Sequence, residues 1–306
     1  MMDRRRLLAM AAAAPAFAKP ALAALPNFSG LRSRNIASGG IEVAYKSPHS
    51  APNGLDVTRE SLWVIDQDPD NYASLVNPQN GALIREFKCE GVLSASGICA
   101  DGDTIWIGST YNRLIVALDE RSGRLKAKYS TPGAGQIYRV ASDAPGRRTP
   151  LQRAYPAPPP APRAPGAPAA TGGRQGAGRQ DDTAESGPAG TGAHSILVKG
   201  NLLYVAVPPA RTIFVIDKTS WVVQNYFQTA GSRPHDMTWA NEAKTHFWSS
   251  DSDLNAFFLH DATTGQMTER LQLPSDSPVI HGAKLWNNYM YNCDDVGWIF
   301  RFRMPA

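Results

Sequence analysis

The chain has little cysteine, and what it has builds nothing recognisable. Its 306 residues include three cysteines, Cys89, Cys99 and Cys293, which cannot all pair internally and so exclude a disulfide-stapled scaffold. Their spacing fits no zinc pattern. Cys99 is expected on an inner strand and Cys89 at the end of an outer one, so all three are read as packing residues. Long apolar runs are also scarce. The stretch from Ala9 to Phe17 is too short and too rich in alanine to span a bilayer, so no transmembrane segment is expected in the mature chain. An excess of one charge is missing from the globular part as well. The formal charge is +4, but Asp3, Arg4, Arg5, Arg6 and Lys19 near the start supply four positive charges and one negative, a net +3, which leaves +1 for the rest. The remaining surplus arginines crowd into one low-complexity stretch. No footprint for nucleic acid is left.

What the chain does have is an internal repeat. Five times a small polar residue or a histidine precedes a small or acidic residue and then an aliphatic one, with an aromatic following at a fixed distance. The units are Asn53-Gly54-Leu55 with Trp63, Ser96-Gly97-Ile98 with Trp106, His194-Ser195-Ile196 with Tyr204, His235-Asp236-Met237 with Trp248, and His281-Gly282-Ala283 with Tyr291. Only the fourth spacing is longer, its extra residues falling in the polar turn around Asn241 to Lys244. Each unit continues with further short apolar runs separated by Asn, Asp and Gly turns, which read as antiparallel strands. Four strands in a unit of roughly 40 residues is the pattern of a β-propeller blade. The expected fold is therefore an all-β propeller with five recognisable blades. The stretch from 96 to 194 is long enough to leave a degenerate sixth open.

The last unit stops after its third strand, at Ile299 to Phe302, and its missing outer strand is expected at the other end of the chain, over residues 40–47. Pairing the two would close the ring and leave no open edge between blades. One domain is expected over 26–306, interrupted at about 141–192 by a segment rich in Pro, Gly and Arg that has too little apolar content to bury and reads as disordered or extended. It is either a tolerated surface insertion or a lid whose Arg147, Arg148 and Arg153 fold over an anionic ligand. Strand direction predicts that it leaves and returns on the histidine side of the ring.

In a propeller the first strand of each blade lines the axis. The aligned positions Asn53, Ser96, His194, His235 and His281 should then converge at one mouth. Half of the six histidines fall at this single repeat position. Three imidazoles on adjacent blades suit a divalent metal ion with open positions for substrate, so His194, His235 and His281 are candidate metal ligands. The alternative is that they only hydrogen-bond carbonyls and channel water. Asp236 and Asp251 are candidate proton-transfer groups. Asn53, Ser96, Asp66, Asp294 and His49 are candidate substrate contacts at the same mouth. Asp66, Asp251 and Asp294 share a second repeat position, where they either orient the histidines or cap turns. His246 and His260 are read as surface or packing residues, and the five repeat aromatics as blade core.

The unit from Pro234 to Gly265, which reads Pro-His-Asp-Met-Thr-Trp and continues through Phe-Trp-Ser-Ser-Asp-Ser-Asp-Leu-Asn-Ala-Phe-Phe-Leu-His-Asp-Ala-Thr-Thr-Gly, resembles a blade of the streptogramin (virginiamycin B) lyases and of the SMP-30/gluconolactonase-like propellers. At fold level the resemblance covers about 40–303. It implies a metal-dependent site in the central channel and lyase or lactonase chemistry, although the lactonases use acidic and Asn ligands and neither group carries so long an arginine-proline insert. The functional expectation is a monomeric exported enzyme, a metal-dependent lyase or hydrolase acting on a small cyclic or ester-bearing molecule. The opposing class is a propeller that binds a small ligand or a protein without catalysis.

The first 25 residues supply the compartment. Arg4-Arg5-Arg6-Leu7-Leu8, an alanine-rich stretch and the small-residue sequence Ala21-Leu22-Ala23-Ala24 resemble a twin-arginine signal with its cleavage site, which implies a bacterial periplasmic or secreted protein handled by the twin-arginine translocase. Replacing Arg4 and Arg5 together with lysine is expected to leave unprocessed protein in the cytoplasm. Fractionation and immunoblotting would check this, and normal export of the double variant would refute the route.

Overall fold

Pairing of short β-branched strands dominates the chain. The computed structural model describes residues 30–58, 60–67, 70–135, 191–294 and 297–305. The expected signal over 1–25 and nearly all of the segment over 141–192 lie outside these residues, with Arg147, Arg148 and Arg153.

The described residues form five sheets, each built on a four-stranded antiparallel blade, one of them with a fifth strand at its edge. Blade 1 holds β3 (Pro52–Thr58), β4 (Ser61–Asp66), β5 (Tyr72–Val76) and β6 (Leu83–Lys88). Blade 2 holds β7 (Ala95–Asp101), β8 (Thr104–Ser109), β9 (Leu114–Asp119) and β10 (Leu125–Ser130). Blade 3 holds β11 (Ser195–Lys199), β12 (Leu202–Val207), β13 (Thr212–Asp217) and β14 (Val223–Gln228). Blade 4 holds β15 (Pro234–Trp239), β16 (His246–Asp251), β17 (Ala256–Asp261) and β18 (Met267–Gln272). In blade 5, β19 (Gly282–Trp286), β20 (Tyr289–Cys293) and β21 (Trp298–Arg303) are completed by β2 (Glu42–Lys46), which pairs with β21 from Glu42↔Arg301 to Lys46↔Trp298. This is the ring closure expected over 40–47. The inner strands β3, β7, β11, β15 and β19 contact one another in that order, and β19 returns to β3. Because β7 lies directly against β11, no place for a sixth blade remains in the ring.

One strand was not anticipated. Here β1 (Arg32–Asn35) adds to the outer edge of blade 4, parallel to β18. Arg34 pairs with Glu269 and donates to the Pro305 carbonyl at 2.6 Å. Four residues without apolar alternation give no strand signal, so the sequence conceals it.

The blades share turn chemistry. Asp119, Asp217 and Asp261 each end a third strand and accept hydrogen bonds from the next backbone amides, as at Asp261 Oδ1 with Thr263 N (2.9 Å) and Thr264 N (2.7 Å). Such Asx turns fix the hairpin into the fourth strand. Gly265 then needs a φ of +73°, and a Cβ there would meet the Phe227 ring at 2.2 Å. In blade 3 the same place is held by Trp221 at φ +56°, stacked on Tyr129 with ring centroids 3.9 Å apart. The repeat aromatics Trp63, Trp106, Tyr204, Trp248 and Tyr291 are all buried, as expected of blade core. So are the three free cysteines, and burial pushes the Cys89 thiol up to about 12.

His260 is fully buried in blade 4, stacked on Phe247, with its ring nitrogens on Ser249 Oγ (2.9 Å) and the Gly265 carbonyl (3.2 Å). Burial pushes it down to about 4 from its ordinary 6.5. The folded protein therefore holds it neutral where the unfolded chain would bind a proton. Its contribution is complete above pH 6.5 and is lost progressively as pH falls towards 4. In His260→Asn the drop in unfolding free energy between pH 7 and pH 4.5, read from urea titrations, is expected to shrink by about 2 kcal/mol. An unchanged pH profile would contradict this.

Candidate functional site at the mouth of the ring

Three of the five inner strands begin irregularly, which re-aims their first side chains. Register shifts occupy the β3–β4 pairing between Pro52 and Gly54, the β7–β8 pairing between Ser96 and Ile98, and the β15–β16 pairing between Pro234 and Met237. Bulges at strand ends re-aim side chains. At the axis the backbones nearly touch: a Cβ on Gly54 would lie 2.7 Å from Gly97 N, and one on Gly97, at φ +67°, 2.6 Å from the His194 carbonyl oxygen. Only glycine fits there.

The three histidines come together as the repeat implied. The His194 and His235 ring centroids are 4.9 Å apart at an interplanar angle of 68°, and those of His235 and His281 are 4.4 Å apart at 3°. His194 Nε2 lies 3.0 Å from Thr191 Oγ1. His235 Nδ1 lies 2.9 Å from the His281 carbonyl oxygen, which can only accept, so Nδ1 carries the proton and Nε2 the lone pair. Nε2 makes no hydrogen bond among the described residues. Burial, followed by the neighbouring His281 and His194 and the guanidinium of Arg233, holds His235 well below the usual histidine range and hence neutral. On the opposite side Asn53 Nδ2 donates to Ser96 Oγ at 2.6 Å.

The His235 and His281 rings are nearly parallel, and the His194 ring is turned across that of His235. Among the described residues no group of three His, Cys, Asp or Glu side chains is spaced to hold a metal.

Asp236 lies one residue beyond the histidine ring, where other blades carry Gly54, Gly97, Ser195 and Gly282. Its Oδ1 accepts from Ser195 Oγ (2.6 Å) and Met237 N (2.8 Å), and its Oδ2 from Ala283 N (2.7 Å) and Leu55 N (3.4 Å). One carboxylate thus ties blades 3, 4, 5 and 1 at the axis. Burial pushes it up to about 6, against the pull of Lys284 and these donors. Two residues deeper, Lys284 of blade 5 lies 3.3 Å from Asp56 of blade 1 and donates to the Met237 carbonyl at 2.8 Å. Burial alone would push the Lys284 ammonium down, but Asp56 and Asp236 outweigh it and hold the group above its ordinary value.

The remaining candidates are placed elsewhere. Asp66 accepts from Ala51 N (2.6 Å), Asp251 from Arg233 N, Asp253 N and Leu254 N (3.0 to 3.1 Å), and Asp294 from Trp298 N (3.2 Å). These bonds tie the loops at the mouth. His49 was expected at the same mouth; it lies instead out at the third and fourth strands of blade 1, stacked on Tyr72 and 2.8 Å from Glu86. The loop preceding β3 carries it outward between blades before the chain turns to the axis. Gly135 and Thr191, on either side of the segment outside the described residues, form a β-bridge beside His194, the side predicted for its departure and return. Sequence reasoning missed Ser195, Gln67, Thr191 and the Asp56–Lys284 pair. Opposite charges at the same offset in neighbouring units were the available signal for that pair.

No family model matches the chain, and neither does any curated protein. Among solved structures, the glutaminyl cyclase of Myxococcus xanthus superposes with a TM-score of 0.55 at 7% identity, covering 89% of this chain and 97% of that one. A catalytically inactive virginiamycin B lyase from Staphylococcus aureus with quinupristin gives 0.42 at 13%, covering 87% and 74%, and a streptogramin B lyase structure 0.43 at 13%, covering 87% and 73%. The first of these likenesses is one of fold alone. No helix of the described residues is long and apolar enough to cross a membrane.

Because every contact of Asp236 is a donor, an amide cannot replace its carboxylate without turning an NH2 group towards one of them. Both Asp236→Asn and Asp236→Ala are expected to cost about 3 kcal/mol of unfolding free energy in urea. A loss below about 1 kcal/mol for the asparagine variant would show that the clamp is dispensable.

Proposed function

We propose that the chain is an exported propeller enzyme of lyase or hydrolase type, which works by acid–base catalysis on a small molecule at the histidine mouth. The observation that carries this reading is His235. A neutral, buried imidazole with Nδ1 fixed on a carbonyl and Nε2 unspent is the arrangement of a general base. Its position beside His194 and His281 lets a proton taken from substrate be handed to a neighbouring ring. Arg233 opposes any second positive charge there. Asp236 and Asp251 act in this scheme through the backbone they hold. A divalent ion on fewer than three of the rings is the competing chemistry, and a binding propeller without turnover the competing class.

His235→Gln preserves most of the ring's volume and removes the base. Against a panel of small esters, lactones, peptide amides and elimination substrates, the wild-type chain is expected to turn over at least one, with His235→Gln slower by about 10²- to 10⁴-fold and a melting temperature within a few degrees of wild type. Stoichiometric divalent metal in purified wild-type protein, lost in His235→Ala, would replace the acid–base reading with a metal one. Ligand binding without turnover would favour the binding module.

A further inference from the structure

The other half of the mouth has unspent hydrogen-bonding capacity. Asn53 is 3% exposed and gives both amide hydrogens away, to Ser96 Oγ at 2.6 Å and to the Ala95 carbonyl at 3.2 Å. Since that carbonyl can only accept, the side-chain nitrogen must face it, which fixes the orientation of the carboxamide. Its Oδ1 is then a buried acceptor with no donor. Ser96 is completely buried, and its Oγ accepts from Asn53 Nδ2 and, at 3.3 Å, from Gln67 Nε2. Both lone pairs are spent, and its hydrogen remains to be donated. Two adjacent blades thus present one acceptor and one donor side by side. Buried polar groups rarely go unmet without a functional reason.

Resting on the reading of this mouth as the acid–base site, we infer that Asn53 and Ser96 recognise the N–H and C=O of one residue of an extended peptide, which point to the same side, so that the molecule taken is peptide-like rather than ester-bearing. The residue's N–H meets Asn53 Oδ1 while its own carbonyl accepts from Ser96. An ester of the same shape keeps the second contact but sets its bridging oxygen against Asn53 Oδ1, acceptor facing acceptor. A carboxylate does the same with a charge added. Discrimination of this kind is large where a site is built to meet a donor and the analogue lacks it. Gln67, half-buried and holding the longest of these bonds, is the side chain that swings aside to admit the amide. The amide then lies in the same ring as His235 Nε2.

N-acetylalanine N′-methylamide and its depsipeptide analogue, O-acetyllactic acid N-methylamide, differ only in N–H against O at the central residue, and each can be titrated into the full chain by ligand-observed NMR. The peptide is expected to bind at least tenfold more tightly, with the preference abolished in Asn53→Leu, whereas Ser96→Ala is expected to weaken both probes alike. If the leucine variant does not fold, Asn53→Ala decides. His235→Gln is expected to keep the preference while losing turnover, so failure of the acid–base reading would leave this titration interpretable. Equal binding, preference for the ester, or a preference that survives loss of the Asn53 carboxamide would overturn the inference. Binding of neither probe, as when a buried water alone satisfies Asn53, would overturn it too.

Discussion

A single carboxylate at the axis organises the ring. Five inner strands approach so closely that Gly54 and Gly97 have no room for a Cβ, and the backbone amides at such a crossing cannot all pair along their own ladders. Asp236 gathers donors from four blades at distances of 2.6 to 3.4 Å. Burying a carboxylate is unfavourable unless its lone pairs are met, and here all four are. Removing it would leave the Ala283 amide and the Ser195 hydroxyl unmet in a dry core, so its importance lies more in what its loss exposes than in any net gain. Beneath it the Asp56–Lys284 pair fills the next layer. The axis is closed on one side of the histidines, and chemistry at the mouth is confined to a single face.

That constraint also shapes the imidazoles. His235 and Asp236 are consecutive residues in a bulged strand, so the clamp that fixes one sets the direction of the other. Stacking of His235 on His281 follows from the same crossing, because β15 and β19 are drawn together where Asp236 accepts from Ala283. The repeat brings three imidazoles to one mouth, and the crossing of β15 and β19 sets the parallel tilt of two of them. The aspartates at the ends of the second strands complete the picture by holding the incoming loops: Asp66 grips the residue two before Asn53, and Asp251 the residue two before His235.

Blade architecture was legible in the sequence because it depends on period-two alternation and on turns that each need a particular residue, such as Asp261 followed by Gly265. Convergence of His194, His235 and His281 was legible for the same reason, since a repeat places equivalent positions around one axis. Ring orientation was not. Whether imidazoles stack or converge depends on side-chain rotamers and on a bulge of one residue, neither of which leaves a mark in the pattern. His49 shows another limit: its loop has no periodicity, and its place beside Tyr72 and Glu86 follows from packing alone. Asp236 was read as a proton-transfer candidate, but three of its four donors belong to residues distant in the chain and could only be counted in three dimensions.

Blade 5 shows how rim and axis depend on each other. Its outer strand, β2, comes from the start of the described chain and pairs with β21, joining Glu42 to Arg301 across most of the sequence. Its inner strand is held at the axis by Asp236 and Asp56, which belong to its two neighbours. These attachments are long-range and add to the local β19–β20 and β20–β21 pairings, so completion of blade 5 has to overcome the loop-closure entropy of the ring. His281 rides on that blade. The stacking that orients His235 is therefore complete only when β2 and β21 have met, and the geometry of the mouth reports on closure of the ring.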